Sequence, residues 1–220
     1  MMSFDIARAA VRSVCPRACR GATVLLAGAM MLAGPANAGQ SLESLLWKGA
    51  AATTLALAAA TNPLGADGVT AEVGGGNRIA VVGIGARWDW NEDLLDVFGW
   101  KVDSYWKLEF FRWQSLRNRE QSGTSLTAGL VPVFRFVDKD SRFRPYVDVG
   151  VGIAVFSASR FEGRQFGSNF QFTDVFGFGG HFGQHNQWKL GYKFQHYSNG
   201  SVKIPNKGIN FHFLSLSYLY

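Results

Sequence analysis

Apolar and polar side chains alternate one by one through eight separate segments of this chain, from about residue 68 to the last residue. Successive side chains of a β-strand point to opposite faces, so a period of two indicates strands with one apolar and one polar face. The pattern predicts an all-β fold with eight strands. The predicted segments are 69–75, 79–90, 101–113, 124–137, 144–156, 168–180, 187–198 and 207–220.

The composition indicates where these strands lie. The chain holds 18 Phe, 7 Trp, 6 Tyr and 26 Gly, and after the first 38 residues no apolar run reaches the roughly 20 residues of a spanning helix. Alternating strands rich in aromatic residues are typical of membrane β-barrels, whose apolar faces contact lipid. In hydrocarbon every strand needs a partner on both sides. We therefore predict that residues 68–220 form an eight-stranded antiparallel transmembrane β-barrel.

The polar faces of the predicted strands fit a narrow barrel interior. They are rich in glycine, which leaves room, and carry charges of both signs that can pair. Pro132 lies inside the fourth segment, where a proline costs a ladder hydrogen bond, so we expect a β-bulge there. The mixed charges are Lys107, Glu109, Arg135 and Asp148.

The N-terminal region resembles an export signal. Four arginines precede the apolar stretch 22–33, and Ala36-Asn37-Ala38 fits a small-x-small cleavage site. We predict a signal peptide over 1–38, followed by an N-terminal segment over 39–67. A second alanine-rich stretch, 50–60, leaves open a later cleavage near 60–66.

Removal of residues 1–38 leaves 18 basic and 15 acidic side chains and no cysteine, because both Cys15 and Cys19 precede the cleavage site. The mature chain then has neither disulfides nor thiolate metal sites. Its basic residues are scattered, which argues against nucleic acid as a partner. We expect no cofactor and no bound metal.

The seventh segment carries an unusual pair of polar side chains on its apolar face. That face holds Trp188, Leu190, Tyr192 and Phe194 and then His196 and Ser198. With both termini in the periplasm, this strand ends at the outer surface. We therefore expect His196 and Ser198 to face the lipid near the outer headgroups.

An imidazole beside a hydroxyl points to nucleophilic catalysis. A serine becomes a good nucleophile when a neighbouring base takes its proton, and a third group holds the base in the right tautomer. Asn210, on the antiparallel eighth strand, is expected level with His196, with His212 one pair lower as a rival. Asn199, Asn206 and the backbone amides of the connecting loop are candidate donors to an oxyanion.

Several short motifs together resemble the PagL family of outer-membrane lipid A 3-O-deacylases. The resemblance covers about the last 80 residues, while the first four strands are similar in pattern only. The motifs are His196-Tyr197-Ser198-Asn199, Pro205-Asn206, Gly208-Ile209, the aromatic C-terminal strand, Arg144-Pro145-Tyr146, Gly150-Val151-Gly152 and Phe156-Ser157.

The resemblance implies an esterase of the outer membrane of a Gram-negative bacterium that removes the 3-hydroxyacyl chain from position 3 of lipid A. It implies Ser198 as nucleophile and His196 as general base, with Asn199 and Asn206 contributing to the oxyanion site. Asn210 departs from the family, which typically has an acidic residue there. The implied substrate is lipid A in lipopolysaccharide, and the barrel is surrounded by outer-membrane lipid. Whether the protein forms a homodimer stays open.

Three further points stay open. The amide at Asn210 also suits an outer-membrane phospholipase with a Ser-His-Asn triad, and a non-enzymatic adhesin or structural barrel is a second alternative. Asp174 interrupts the phenylalanine face of the sixth segment, and strand counting puts it below His196; the alternatives are a substitute acid, a bulge residue or a misread register. Arg160 and Arg164, in an external loop, are candidates to contact lipid A phosphates.

Overall fold

The computed structural model describes residues 62, 64–91, 94–116 and 123–220, and within them eight long strands run antiparallel. The predicted signal peptide 1–38, and the segment 39–67 apart from residues 62 and 64–67, lie outside the described residues. The strands are β1 Gly68–Gly76, β2 Ile79–Asn91, β3 Trp100–Ser115, β4 Thr124–Val137, β5 Tyr146–Phe156, β6 Phe170–Phe182, β7 Trp188–Ser198 and β8 Ile209–Leu219.

The eight strands close into a ring. Each strand pairs with the next, and β8 pairs back with β1 from Gly68↔Leu219 to Gly75↔His212. This confirms the predicted all-β, eight-stranded antiparallel barrel. The described part of the chain contains no helix long and apolar enough to cross a membrane.

Two short additions sit on the ring. Asp96–Val97 pairs with the start of β3, and Arg160–Phe161 pairs with Arg164–Gln165 as a small hairpin between β5 and β6. This hairpin and the β7–β8 loop, residues 199–208, lie at the same end of the barrel, which we call the site end. The opposite end, which carries the start of β1 and the end of β8, is the turn end.

The outward face of the barrel is apolar and exposed, as the alternation predicts. On β5 the residues Val149, Val151, Ile153 and Val155 are 36–63% exposed, while the intervening side chains point inward. Branched and aromatic side chains at such positions suit contact with lipid.

Aromatic side chains fill the interior near the site end. Trp113 is fully buried, and its ring centroid lies 4.7 Å from both Phe156 and Phe211 and 5.8 Å from Tyr197. A β-carbon at Gly83 would overlap the ring of Phe111, so the small residue makes room for the large one. Because aromatic pairs favour these edge-on distances, the cluster packs the strand ends rigidly.

Two groups of paired charges fill the middle of the barrel. Lys107 Nζ lies 2.8 Å from Glu72 Oε1, and Lys193 Nζ lies 2.9 Å from Glu72 Oε2 and 3.3 Å from Glu109 Oε2. Arg135 binds both carboxylate oxygens of Asp148, at 2.7 and 2.6 Å. Opposite charges pair inside the barrel as predicted, which offsets the cost of removing them from water.

The prediction of a bulge at Pro132 is wrong. The pairing of β4 with β5 is interrupted between Leu130↔Ile153 and Val133↔Gly150, but the register is the same on both sides. The proline therefore leaves the ladder locally unpaired without inserting a residue. The irregularity lies elsewhere, in β2 against β3, where the register shifts between Asp89 and Asn91.

Candidate active site

The end of β7 presents His196 and Ser198 on the outside of the barrel. Between them, Tyr197 points inward and is fully buried in the aromatic cluster. The strict alternation of β7 continues to Ser198, with Gln195 buried and His196 half-buried. The predicted shared outward face of the two polar side chains is confirmed.

His196 is held by Asn210 of the neighbouring strand. The two residues are paired directly in the β7–β8 register, and His196 Nδ1 lies 2.5 Å from Asn210 Oδ1. An amide oxygen can only accept, so the hydrogen belongs to Nδ1 and the lone pair stays on Nε2. Asn210 thus selects the tautomer in which Nε2 can act as a base. His212 is engaged elsewhere, with its Nδ1 2.5 Å from Tyr192 Oη.

Gly208 makes room for the other edge of the imidazole. It lies one residue beyond the Tyr197↔Ile209 pair, which puts it level with Ser198. A β-carbon at Gly208 would stand 2.7 Å from His196 Cε1 and 3.2 Å from Nε2. The Nε2 edge therefore points along the strands toward the level of Ser198. Among the hydrogen bonds of the described residues, none joins Ser198 to His196.

The β7–β8 loop is folded around Asn199. This side chain is 2% exposed, and its Nδ2 donates at 2.7 Å to both the Phe166 and the Lys203 carbonyl oxygens. Asn206 Oδ1 accepts from the Asn199 backbone N–H at 3.0 Å, while Asn206 Nδ2 makes only a 3.4 Å contact with Ser201 Oγ. Asn199 thus uses both of its amide hydrogens, one on the β5–β6 connection and one within its own loop, and the Asn206 amide retains donor capacity.

Arg164 braces the start of β8. Its guanidinium donates to the Gly208 carbonyl oxygen at 3.0 Å and to Asn77 Oδ1 at 2.9 Å. Asn77, in the β1–β2 turn, donates in turn to the Asn210 carbonyl oxygen at 3.2 Å. Arg164 therefore connects the small hairpin to the strand that carries Asn210. A contact of Arg160 or Arg164 with phosphate stays a prediction.

Asp174 lies level with His196 on the other side of β7. The β6–β7 register pairs His196 directly with Asp174, and both side chains point outward. The expectation that Asp174 lies below His196 is therefore wrong. The expectation fails because β6 does not end at Gly180 but continues through His181 to Phe182. The longer strand shifts the register of β6 against β7.

Within the described residues, no group of three or more His, Cys, Asp or Glu side chains is gathered around a point where a metal ion could bind.

The chain is similar to one known protein family and to two named members of it. A model of the family described as "Lipid A 3-O-deacylase (PagL)" matches residues 80–219. Lipid A deacylase PagL of Pseudomonas aeruginosa is 28% identical over 126 residues, which is 57% of this chain and 70% of that protein. Lipid A deacylase PagL of Bordetella bronchiseptica is 34% identical over 93 residues, 42% of this chain and 48% of that protein.

A solved structure is also similar to this chain. The crystal structure of the outer-membrane enzyme PagL matches with a TM-score of 0.62 and 27% identity, over 70% of this chain and 99% of that one. The closed barrel and this match define a β-barrel enzyme of the outer membrane. Because the family model covers well over half of its residues, the chain belongs to the lipid A 3-O-deacylase (PagL) family.

Proposed function

We propose that this protein hydrolyses the ester of the 3-hydroxyacyl chain at position 3 of lipid A, with Ser198 as nucleophile and His196 as general base. The observation that carries the proposal is the contact of His196 with Asn210, which leaves Nε2 free at the level of Ser198. Family membership supports the substrate. The reaction is that of a serine esterase working on the outside of a barrel.

The first half of the reaction acylates the serine. His196 Nε2 takes the proton of Ser198 Oγ as this oxygen attacks the ester carbonyl carbon. The carbonyl oxygen becomes an oxyanion, which the Asn206 amide and backbone N–H groups of the loop stabilise. The intermediate then collapses: the bond to the sugar oxygen breaks, and His196 returns the proton to that oxygen. Lipid A leaves with a free 3-hydroxyl.

The second half regenerates the enzyme. His196 takes a proton from a water molecule, which attacks the acyl-Ser198 carbonyl carbon, and collapse of this intermediate returns the proton to Ser198 Oγ. The product is a free 3-hydroxy fatty acid. In both steps the imidazole must be neutral at the start and positively charged in the intermediate. The group that orients the ring therefore affects both steps.

We further propose that the site end lies in the outer leaflet. There the outward face of β7 meets acyl chains directly, since His196 and Ser198 follow the apolar side chains of the same face. The ester then reaches Ser198 without entering the barrel. A homodimer stays a prediction.

The decisive experiment is mass spectrometry of lipid A from a Gram-negative host that expresses the wild type or Ser198→Ala. We expect the wild type alone to remove one 3-hydroxyacyl mass. Ser215→Ala is the matched control, because Ser215 Oγ donates to the Gly191 carbonyl oxygen on β7, away from the site. Identical lipid A from wild-type and Ser198→Ala cells would overturn the proposal.

The amide at Asn210 also favours a second candidate, a phospholipase with a Ser-His-Asn arrangement. Its substrate would be a glycerophospholipid instead of lipid A. Purified protein in glycerophospholipid vesicles distinguishes the two: a phospholipase releases fatty acid from them, whereas a lipid A deacylase leaves them intact. A non-enzymatic barrel would change neither substrate.

A further inference from the structure

Asp174 is a carboxylate in an apolar, outward-facing stripe. Its neighbours along the face of β6 are phenylalanines, each 38–50% exposed: Phe170, Phe172, Phe176 and Phe178. A charged side chain on the lipid face of a barrel is costly, and an ionisable residue at such a position points to function together with its partner. The question is which group offsets that cost.

The neighbouring strands offer one polar partner. On β5 the residue paired with Asp174 is Val151, and on β7 it is His196. Directly opposite side chains of antiparallel strands have Cβ atoms about 4.5–5.5 Å apart, within the range of a strong charge interaction. His196 therefore lies between a neutral amide on β8 and a carboxylate on β6.

We propose that Asp174 supplies the negative charge that stabilises the protonated His196, while Asn210 only orients the ring; this inference rests on the proposed function of Ser198 and His196. In a serine triad one acidic residue both orients the histidine and stabilises its positive charge. Here these two tasks are divided between Asn210 on β8 and Asp174 on β6. Asp174 acts through His196 and is a positioning residue. It does not contact the ester.

The charges around His196 make this division necessary. Asn210 contributes none, and the cation Arg164 is bound to the carbonyl oxygen of Gly208, the residue against which the ring lies. His212 lies one pair lower and is occupied by Tyr192. When the ring takes the proton of Ser198, Asp174 is the neighbouring group that favours the new positive charge. A lipid environment strengthens this attraction because it lowers the local dielectric constant.

The test compares four proteins: wild type, Asp174→Asn, Asn210→Glu and the double variant. Asp140→Asn is the control, since it removes the same charge from an exposed turn at the opposite end. Two rates are measured against pH in detergent: lipid A deacylation, and labelling of Ser198 by a fluorophosphonate, which requires an activated serine but not lipid A. Heat-modifiable migration on gels verifies that each barrel is folded.

We expect Asp174→Asn to slow both reactions about tenfold, which corresponds to about 1.4 kcal/mol of transition-state stabilisation. In the double variant, Asn210→Glu returns a carboxylate beside the ring, so both rates should recover. Asp140→Asn should match the wild type.

Two results would overturn the inference: Asp174→Asn with the wild-type rates, or a folded double variant that is no faster than Asp174→Asn. A wild type that is labelled but leaves lipid A intact would refute the substrate alone, and the labelling rates would still decide the role of Asp174. A wild type that is not labelled would refute the nucleophilic pair and this inference with it.

Discussion

The imidazole of His196 lies across the backbone of Gly208, where a β-carbon would stand 2.7 Å from its Cε1 atom. Real side chains essentially never come so close, so this position admits only glycine while the ring keeps its place. Asn210 fixes one edge of the ring and Gly208 leaves space for the other. The orientation of the proposed base is therefore set by two residues that lie two positions apart, Gly208 at the end of the β7–β8 loop and Asn210 of β8.

The first prediction concerns Gly208→Ala. The added methyl group should push the imidazole away from the level of Ser198, and we expect deacylation to fall at least tenfold because a displaced base is a severe defect. The measurement is lipid A mass spectrometry together with fluorophosphonate labelling. Wild-type rates in a folded Gly208→Ala barrel would show that the ring does not occupy this place during the reaction.

The second prediction separates the two outward-facing histidines. His212 Nδ1 is 2.5 Å from Tyr192 Oη, one pair below the site, so we expect His212→Ala to retain most of the activity. His196→Ala should abolish it, since the nucleophile loses its base. Comparable losses in the two variants, measured on lipid A in detergent, would contradict this assignment.

The third prediction concerns Asn199→Ala. This change removes two 2.7 Å hydrogen bonds to loop carbonyl groups, one buried and one partly buried, each worth about 1 kcal/mol or more when the partner is left unsatisfied. The loop should open, and trypsin should cleave after Lys203 and Lys207 much faster than in the wild type. Asn186→Ala, in a turn at the other end of the barrel, is the control. Unchanged cleavage would mean that other contacts hold the loop.

The fourth prediction concerns the charges inside the barrel. Glu72→Gln leaves Lys107 and Lys193 with Glu109 as their carboxylate partner, and breaking a buried ion pair from one side costs about 3–5 kcal/mol. The temperature at which the barrel unfolds on heated gels should drop clearly. Asp96→Asn, which removes an exposed pair with Lys101, should leave it unchanged. An unaltered unfolding temperature for Glu72→Gln would show that the cluster adds little stability.

The sequence alone determined the strands and their faces well, because alternation is a local property. The predicted segment from Gln187 to Ser198 differs from β7 by one residue, and the outward placement of His196 and Ser198 follows directly from it. The pairing of His196 with Asn210 was also predictable. Both residues lie next to the loop that connects the two antiparallel strands, so they come level with each other. Alternation cannot, however, reveal how far one strand slides past the next.

The position of Asp174 shows that difficulty. The sixth segment was predicted to end at Gly180, yet β6 continues through His181 to Phe182, and the register of β6 against β7 moves accordingly. The interior was predicted in part: the paired charges were expected, but the aromatic cluster around Trp113 was not. Aromatic residues on the inward and lipid-facing sides alternate with the same period of two. Which inward side chains contact one another follows only from the closure of the barrel.

The filled interior has a consequence for the membrane that holds this barrel. Aromatic rings occupy one part and paired charges the next, and a cavity of about 40 Å³ between the charge groups has room for a few water molecules. In the described part of the chain, inward-facing side chains therefore fill the barrel instead of lining a wide channel. At the proposed site in the outer leaflet, the lipid substrate arrives sideways, within the plane of that leaflet. The quantity that governs its encounters is the number of lipids per unit area, not the concentration in the water on either side.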